Sequence, residues 1–356
     1  MGTRPIAVVT GASAGVGRAT SVALARRGFD VALLARGEAG LAAAAEDVEA
    51  AGGRALAVPT DVAVWAEVDA AATLVEQELG EIDVWVNNAM TTVFAPLTDT
   101  DPADIKRATE VTYLGQVHGT MAALRRMRPR DRGRVVDVGS ALAYVGIPLQ
   151  AAYCGSKFAC RGFFESVRAE LIADGSNVTI SMVHLPAVNT PQFSWCKSAL
   201  PDHPQPVPPI YQPEVAAARI VDVVFDARRS TVLGSWNRLI VAGSKVAPSV
   251  FSQFAGRTAV DGQQTGDPVD PDRPVNLRTP VDAIEPWSAR GEFSDRASGV
   301  RDREFLVSLP QQVLSLGRSL AATLSYKLGG PARRGALRAK IDAGSTTSRP
   351  DQEVGA

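Results

Sequence analysis

The amino-acid sequence predicts an α/β fold in which a doubly wound parallel sheet is flanked by helices and followed by a C-terminal extension. Short apolar runs alternate with helical patterns, as expected for a parallel sheet with crossover helices. A glycine-rich turn joins the first strand to the first helix. Gly11, Asn88, Ser140 and Thr190 each follow a predicted strand, at the sheet edge where such folds bind ligands. We therefore expect one site at this edge.

Composition narrows the functional class. The chain has 356 residues, 46% of them hydrophobic, and a net charge of −1. This length allows one large domain with an appendage, and the neutral charge argues against nucleic acid as a partner. The three cysteines have no metal-ligand spacing, so no metal site is predicted. With no signal peptide and no long apolar run, the sequence favours a cytoplasmic protein with reduced thiols.

The first strand, Ile6 to Thr10, runs into a turn with glycines at positions 11, 15 and 17. Glycines let the backbone approach a pyrophosphate, and the following helix offers unpaired N–H groups and a positive dipole. The alternative is a tight turn that binds nothing.

Arg36 follows the second strand, Val31 to Ala35. A carboxylate there would hold the adenosine ribose of NAD, whereas a guanidinium can bind a 2′-phosphate. The sequence thus favours NADP(H) over NAD(H), with a solvated surface arginine as the alternative. After the third strand, Asp61 and Val62 are placed to meet the adenine.

The stretch from Arg134 to Phe158 carries the predicted chemistry. Ser140 ends a strand, and Tyr153 and Lys157 lie one turn apart on the next helix. The ammonium favours the phenolate form of its neighbour, and the serine hydroxyl can bond a substrate oxygen, which together make an acid/base device for an alcohol or ketone. Taken alone, each of these residues is more often a turn or helix-surface residue.

In this order, the three glycines, Asn87-Asn88-Ala89, Ser140, Tyr153 and Lys157 make the chain resemble the short-chain dehydrogenases/reductases. The resemblance covers roughly residues 4–234, and the TGxxxGxG form matches the single-domain oxidoreductase branch. It implies a Rossmann-like fold, hydride transfer between nicotinamide and a carbonyl or alcohol, and assembly as a homodimer or homotetramer.

The resemblance also implies roles for individual residues. Tyr153 would be the general acid/base, Ser140 would hold the substrate oxygen, Lys157 would bind the nicotinamide ribose, and Thr190 would contact the carboxamide. The expected cofactor contacts are Gly11, Ser13, Gly15, Val16, Gly17, Arg36, Asp61, Val62, Asn88, Ala89, Tyr153, Lys157, Pro186, Val188 and Thr190.

Two positions depart from the family pattern. Thr112 stands where the family's catalytic tetrad has an asparagine that supports a water, so its catalytic role is left open. Met90 replaces the glycine usual after Asn-Asn-Ala, and its side chain should narrow the nicotinamide side of the pocket.

The segment from about 187 to 212 is rich in proline and aromatic residues and should form a substrate lid. Its aromatic residues suggest a hydrophobic small molecule, although they could equally fix the lid to the domain. The expected substrate contacts are Met90, Leu142, Tyr144, Phe193 and Trp195.

We expect a catalytic domain over residues 1–246 and an extension over 247–356. In the extension, residues 261–297 have the composition of an extended arm, an apolar stripe predicts a helix at about 306–328, and the end is expected to be disordered. The helix could pack on the core or a sister subunit, lie on a membrane surface as a peripheral contact, or bind another protein.

Two functional hypotheses follow. The first is an NADP(H)-dependent oxidoreductase acting on a carbonyl or alcohol, which requires a dinucleotide cleft free of the chain itself. The second is a catalytically weak NADPH-binding sensor or scaffold that acts through its C-terminal tail.

Overall fold

The computed structural model describes residues 4–226 and 229–299. Within them a seven-stranded sheet forms the centre of the molecule, with strand order β7-β6-β5-β4-β1-β2-β3 and every neighbouring pair parallel. The strands are β1 (Ile6–Thr10), β2 (Asp30–Ala35), β3 (Ala55–Pro59), β4 (Ile82–Asn87), β5 (Arg134–Ser140), β6 (Thr179–Leu185) and β7 (Ser230–Val232).

Helices cover both faces of the sheet. Apolar residues of α1, α2 and α7 pack on one face, and those of α3, α5 and α6 on the other. The helices are α1 (Gly15–Arg26), α2 (Glu38–Ala50), α3 (Trp65–Glu78), α4 (Pro102–Thr109), α5 (Gly115–Met127), α6 (Ala151–Ala173), α7 (Pro213–Phe225), α8 (Ser235–Val246) and α9 (Pro248–Gly262). The predicted fold class is confirmed.

Short elements surround the carboxyl edge of the sheet. Two-residue strands at Ala187–Val188, Ile210–Tyr211 and Ala297–Ser298 pair with one another. The remaining short elements are the strands Val93–Phe94, Lys197–Ser198, Asp202–Pro204 and Gln264–Pro268, the helix Gln192–Trp195, the 3-10 turns Leu97–Asp99, Arg128–Arg130, Ala141–Ala143 and Ser294–Arg296, and the π-helical turn Glu110–Leu114.

The strand order places the predicted site. Because β1 lies beside both β2 and β4, the order reverses at β1, and a crevice opens at the carboxyl ends of these strands. Gly11, Asn88 and Ser140 lie directly at or after the ends of β1, β4 and β5. Their predicted convergence at one edge is confirmed.

Part of the predicted extended arm packs on the catalytic domain, through Leu277 and Phe293. Residues 270–299, which we call the arm, run along this same edge of the sheet. The predicted helix at about 306–328 and the C-terminal end lie outside the described residues. Among the helices that are described, none has the length and apolar character needed to cross a bilayer.

Candidate active site

The glycine turn is shaped for close backbone approach. Gly11 and Gly15 have φ angles of +65° and +58°, a region that favours glycine. A side chain at Gly17 would place its Cβ 2.0 Å from the Gly11 carbonyl oxygen, so only glycine fits there. No side chain caps the first turn of α1, which leaves its N–H groups for another partner.

Asn88 holds this turn from β4. Its Nδ2 donates to the carbonyl oxygens of Thr10 at 2.9 Å and Gly11 at 3.2 Å, while the N–H groups of Asn88 and Ala89 donate to the Thr10 hydroxyl. Asn88 and Ala89, predicted as cofactor contacts, thus also lock the glycine turn to the neighbouring strand.

The three predicted catalytic residues meet where β5 ends against α6. Lys157 is 4% exposed, and its Nζ donates to the Val138 carbonyl at 2.8 Å, two residues before Ser140. The same Nζ lies 5.7 Å from the centre of the half-buried Tyr153 ring. The Ser140 hydroxyl accepts a bond from the Leu142 N–H at 3.1 Å. The Lys157 ammonium therefore lies between the Tyr153 ring and the strand that ends at Ser140.

A polar network lies buried beneath Lys157. Asp137, completely buried in β5, accepts from Asn87 Nδ2 at 2.9 Å and from Gln116 Nε2 at 3.0 Å, and Asn87 is itself fixed by Trp85. Burial raises the pKa of Asp137 to about 7, although the Asn87 hydrogen bond and the Lys157 charge act in the opposite direction. Sequence reasoning missed Asp137. The signal that could have found it is a carboxylate between valines in a predicted apolar strand.

The variant Asp137→Asn should gain stability relative to wild type as pH rises. Below pH 3.8 the carboxyl is protonated in both folded and unfolded wild type; between 3.8 and about 7 only the unfolded chain ionises, so the folded state is progressively disfavoured. The difference in unfolding free energy should grow across that window by on the order of 4 kcal/mol and then stay constant.

Denaturant unfolding of both proteins at several pH values measures this difference. Buried His184, whose pKa is lowered by burial to about 4, makes wild type less stable as pH falls below 6.5, but its contribution cancels between the two proteins. A difference that stays the same from pH 4 to 8 would contradict the assignment.

Thr112 lies in the π-helical turn, 1% exposed. Its hydroxyl donates to the Thr91 carbonyl at 2.9 Å and accepts from the Thr91 N–H at 3.0 Å. The Thr112 carbonyl accepts from the Cys160 thiol. The hydroxyl thereby secures the loop that carries Met90, and its catalytic role stays a prediction.

The predicted substrate residues separate into two groups. Met90, Leu142 and Tyr144 are partly exposed beside the strand ends, and the Tyr144 hydroxyl bonds His184 Nε2 at 3.2 Å. Phe193, only 6% exposed, packs in a lid cluster with Phe94 and Phe293. Trp195 instead contacts the Trp287 ring edge-on at 5.0 Å. For these two lid residues the geometry matches the packing alternative.

Residues of the chain itself occupy the end of the cleft where the adenosine is predicted to bind. Asp61 pairs with Arg107 at 2.5 Å, and the backbone carbonyl of buried Val62 bonds His118 Nδ1. Arg36, the predicted 2′-phosphate ligand, donates instead to the arm, to the carbonyls of Asn276 and Arg278 at 2.7 Å each. Burial is the main cause that lowers the pKa of Arg36, followed by the charge of Arg107.

The oxidoreductase hypothesis expects a dinucleotide cleft that the chain leaves free. In the structure the arm lies in this cleft. Ser13 is buried, the Gly15 N–H donates to the Ser288 carbonyl of the arm, and Gly291 lies against the Thr190 carbonyl. Of the other predicted contacts beyond β6, Pro186 is half-buried and Val188 is buried.

Sequence reasoning also missed Asn189, which is fully buried. Its Oδ1 accepts from the Phe293 N–H at 3.0 Å, and its Nδ2 donates to Gln212 and Ser294, so it anchors the arm to the lid.

The cysteines are buried thiols. Burial raises the pKa of Cys160 and Cys196 to about 11 and also raises that of Cys154. At neutral pH they are protonated and poor nucleophiles.

Comparison with known proteins agrees with this geometry. The family model described as short chain dehydrogenase matches residues 5–198. The chain belongs to the short-chain dehydrogenase family. It is therefore an enzyme of the class that interconverts CH–OH and C=O groups with a nicotinamide dinucleotide, and the predicted resemblance is confirmed.

Individual relatives share part of the length. The oxidoreductase YxnA of Bacillus subtilis, itself uncharacterized, is 29% identical over 270 residues, which is 75% of each chain. The 3-dehydrosphinganine reductase of Danio rerio is 31% identical over 192 residues, covering 52% of this short-chain dehydrogenase and 57% of the relative. An alcohol dehydrogenase from Thermococcus sibiricus, solved with 5-hydroxy-NADP, superposes with a TM-score of 0.56 at 24% identity, covering 64% of this chain and 94% of that one, and supports the fold.

Proposed function

We propose that this short-chain dehydrogenase transfers a hydride between NADP(H) and the carbonyl or alcohol of a hydrophobic small molecule, with Tyr153 as general acid/base. The observation that carries the proposal is the position of the Lys157 ammonium, buried between the Tyr153 ring and the Val138 carbonyl beside Ser140. That arrangement places an acid and its charge partner where a strand end presents a hydroxyl.

In the direction of reduction, NADPH when bound would supply the hydride to the carbonyl carbon. The Ser140 hydroxyl donates to the carbonyl oxygen and fixes its position, and Tyr153 gives that oxygen its proton as negative charge develops. Lys157 stabilises the phenolate that is left, because its ammonium is held close to the ring by Val138. Oxidation of the alcohol uses the same groups in reverse.

Arg36 supports NADP(H) rather than NAD(H). It directly follows β2, where a carboxylate would be needed to hold the 2′-hydroxyl of NAD, and α2 begins close by with Gly37 as its N-cap. A guanidinium next to a helix N-terminus forms an anion site, which suits the 2′-phosphate.

Partly exposed Met90 and Leu142 support an apolar substrate near the serine hydroxyl. A screen of apolar ketones and aldehydes, followed through NADPH absorbance after the binding of NADPH and NADH has been measured, tests the proposal. Binding of NADPH with turnover of at least one carbonyl is expected, and binding without any turnover would favour the second function.

That second function is an NADPH-binding sensor or scaffold of low activity. The observation in its favour is the arm across the cleft, together with Thr112, whose hydroxyl is engaged with Thr91. A peripheral membrane contact through the predicted C-terminal helix is compatible with either function. Liposome co-sedimentation of the full chain against a truncation before Asp302 tests it, and equal binding would contradict it.

We also propose that the chain forms a homodimer or homotetramer through α5 and α6. Met121 on α5 is 38% exposed and Phe158 on α6 is 44% exposed, a cost in free energy that a partner subunit would remove. The variant Met121→Glu/Phe158→Glu should elute as a monomer in light-scattering chromatography while wild type does not. A monomeric wild type would contradict the assembly.

A further inference from the structure

The arm enters the cleft at Leu277, at the end where the adenosine is predicted to bind. Leu277 is 2% exposed and packs against Val93 and Ala95, beyond the end of β4. Its carbonyl accepts from Arg107, the residue that pairs with Asp61. The arm is therefore inserted beside the residues predicted to meet the adenine.

At the start of α2 the arm presents a carboxylate. Asp282 is 5% exposed, and a Cβ built on Gly37 or Gly40 would lie 1.9 Å or 2.3 Å from its carboxylate oxygens. Its carbonyl accepts the Gly40 N–H at 3.0 Å. Arg36 adds a 2.9 Å bond to the side-chain oxygen of Asn276. The Asp282 carboxylate thus lies at the start of α2, and oxygen atoms of the arm accept the hydrogen bonds of Arg36. These are the two groups that would hold a 2′-phosphate.

Farther along, the arm reaches the glycine turn. The Ser288 carbonyl accepts the Gly15 N–H at 3.3 Å, and the Trp287 carbonyl accepts from Arg18 at 2.7 Å. These are donors at the N-terminus of α1, where a pyrophosphate would bind. A Cβ on Gly291 would lie 2.5 Å from the Thr190 carbonyl, so the arm passes directly over the predicted carboxamide contact.

The part of the arm that lies over the cleft is held at both of its ends. Arg278 pairs with buried Asp104 at 2.6 Å, and Asp104 also binds Lys197 of the lid. At the other end, Asn189 holds Gly291 and Phe293. The segment between these attachments is held against the cleft by hydrogen bonds and ion pairs with the folded domain.

We propose that residues 276–291 are an internal ligand of the dinucleotide cleft, which NADP(H) must displace in order to bind. The inference rests on the proposed NADP(H) function. Asp282 lies at the start of α2, where a 2′-phosphate would bind, and Asn276 and Arg278 accept the bonds of Arg36 that the phosphate would need. Two anions would also repel each other there, so the two states exclude one another. Cofactor affinity is then reduced by the small fraction of molecules in which the arm is released.

The variant Asp282→Ala tests this in the full-length chain. Loss of the carboxylate weakens the docked arm, so NADPH should bind about ten-fold more tightly by fluorescence titration. Glu285→Ala is the matched control. Glu285 lies three residues after Asp282 and is exposed, so the variant removes the same charge without removing a contact with the start of α2. That control should bind NADPH as wild type does.

Hydrogen exchange of wild type gives a second measurement that does not depend on a variant. Addition of NADPH should speed amide exchange in residues 276–291, since the displaced arm loses its bonds. Slower exchange would show that the arm closes over bound cofactor and would overturn the inference, as would unchanged affinity of Asp282→Ala. If neither NADPH nor NADH binds to wild type or to either variant, the proposed cofactor itself fails.

Discussion

Replacing Tyr153 by phenylalanine is expected to lower turnover of the carbonyl substrate by about 10²–10⁴-fold, the contribution of a positioned general acid. Phenylalanine keeps the ring that lies 5.7 Å from the Lys157 ammonium and removes only the proton donor. The binding of NADPH should therefore be unchanged, so the loss should fall on kcat rather than on cofactor affinity.

Tyr113→Phe is the matched control for this variant. Tyr113 packs edge-on against Phe163 and removing its hydroxyl should leave turnover within a few-fold of wild type. A Tyr153→Phe enzyme with wild-type turnover would remove the acid/base assignment, whatever the cofactor affinity.

Replacing Arg36 by alanine is expected to reduce the preference for NADPH over NADH by about 10–100-fold, because a charge-assisted contact with the 2′-phosphate contributes roughly 1.5–3 kcal/mol. Arg36 also holds the arm through Asn276 and Arg278. Releasing the arm frees the Gly15 N–H, which the pyrophosphate of either cofactor would use, and relief of repulsion from Asp282 would raise the NADPH preference. A fall in the ratio of the two kcat/KM values therefore reports the lost phosphate contact.

Arg26→Ala, at an exposed position near the far end of α1, removes the same charge outside the cleft and should keep the wild-type ratio. If Arg36→Ala also keeps it, the 2′-phosphate is bound elsewhere and the argument for NADP(H) from β2 fails.

The sequence was sufficient where a local pattern carries the structure. Ser140 was predicted to end a strand, and it is the last residue of the buried strand β5. The glycine spacing and the i, i+4 pair of Tyr153 and Lys157 likewise depend on nearby residues alone. These patterns predicted the sheet, the site edge and the catalytic helix.

The arm could not be placed in the same way. Around Asp282 the chain has no helical or strand period, so its course is set by contacts with groups far away in sequence, such as the Gly40 N–H and Arg36. The lid aromatics were ambiguous for the same reason, since Trp195 and Phe193 pack against Trp287 and Phe293 of the arm.

The central claim is proton donation by Tyr153 during hydride transfer from NADPH to a carbonyl group. Its most direct measurement is single-turnover oxidation of enzyme-bound NADPH by a carbonyl that wild type reduces, compared between wild type and Tyr153→Phe with both saturated in cofactor. The account predicts rapid oxidation in wild type and at least about a hundred-fold slower oxidation in the variant. Equal rates in the two proteins would contradict it.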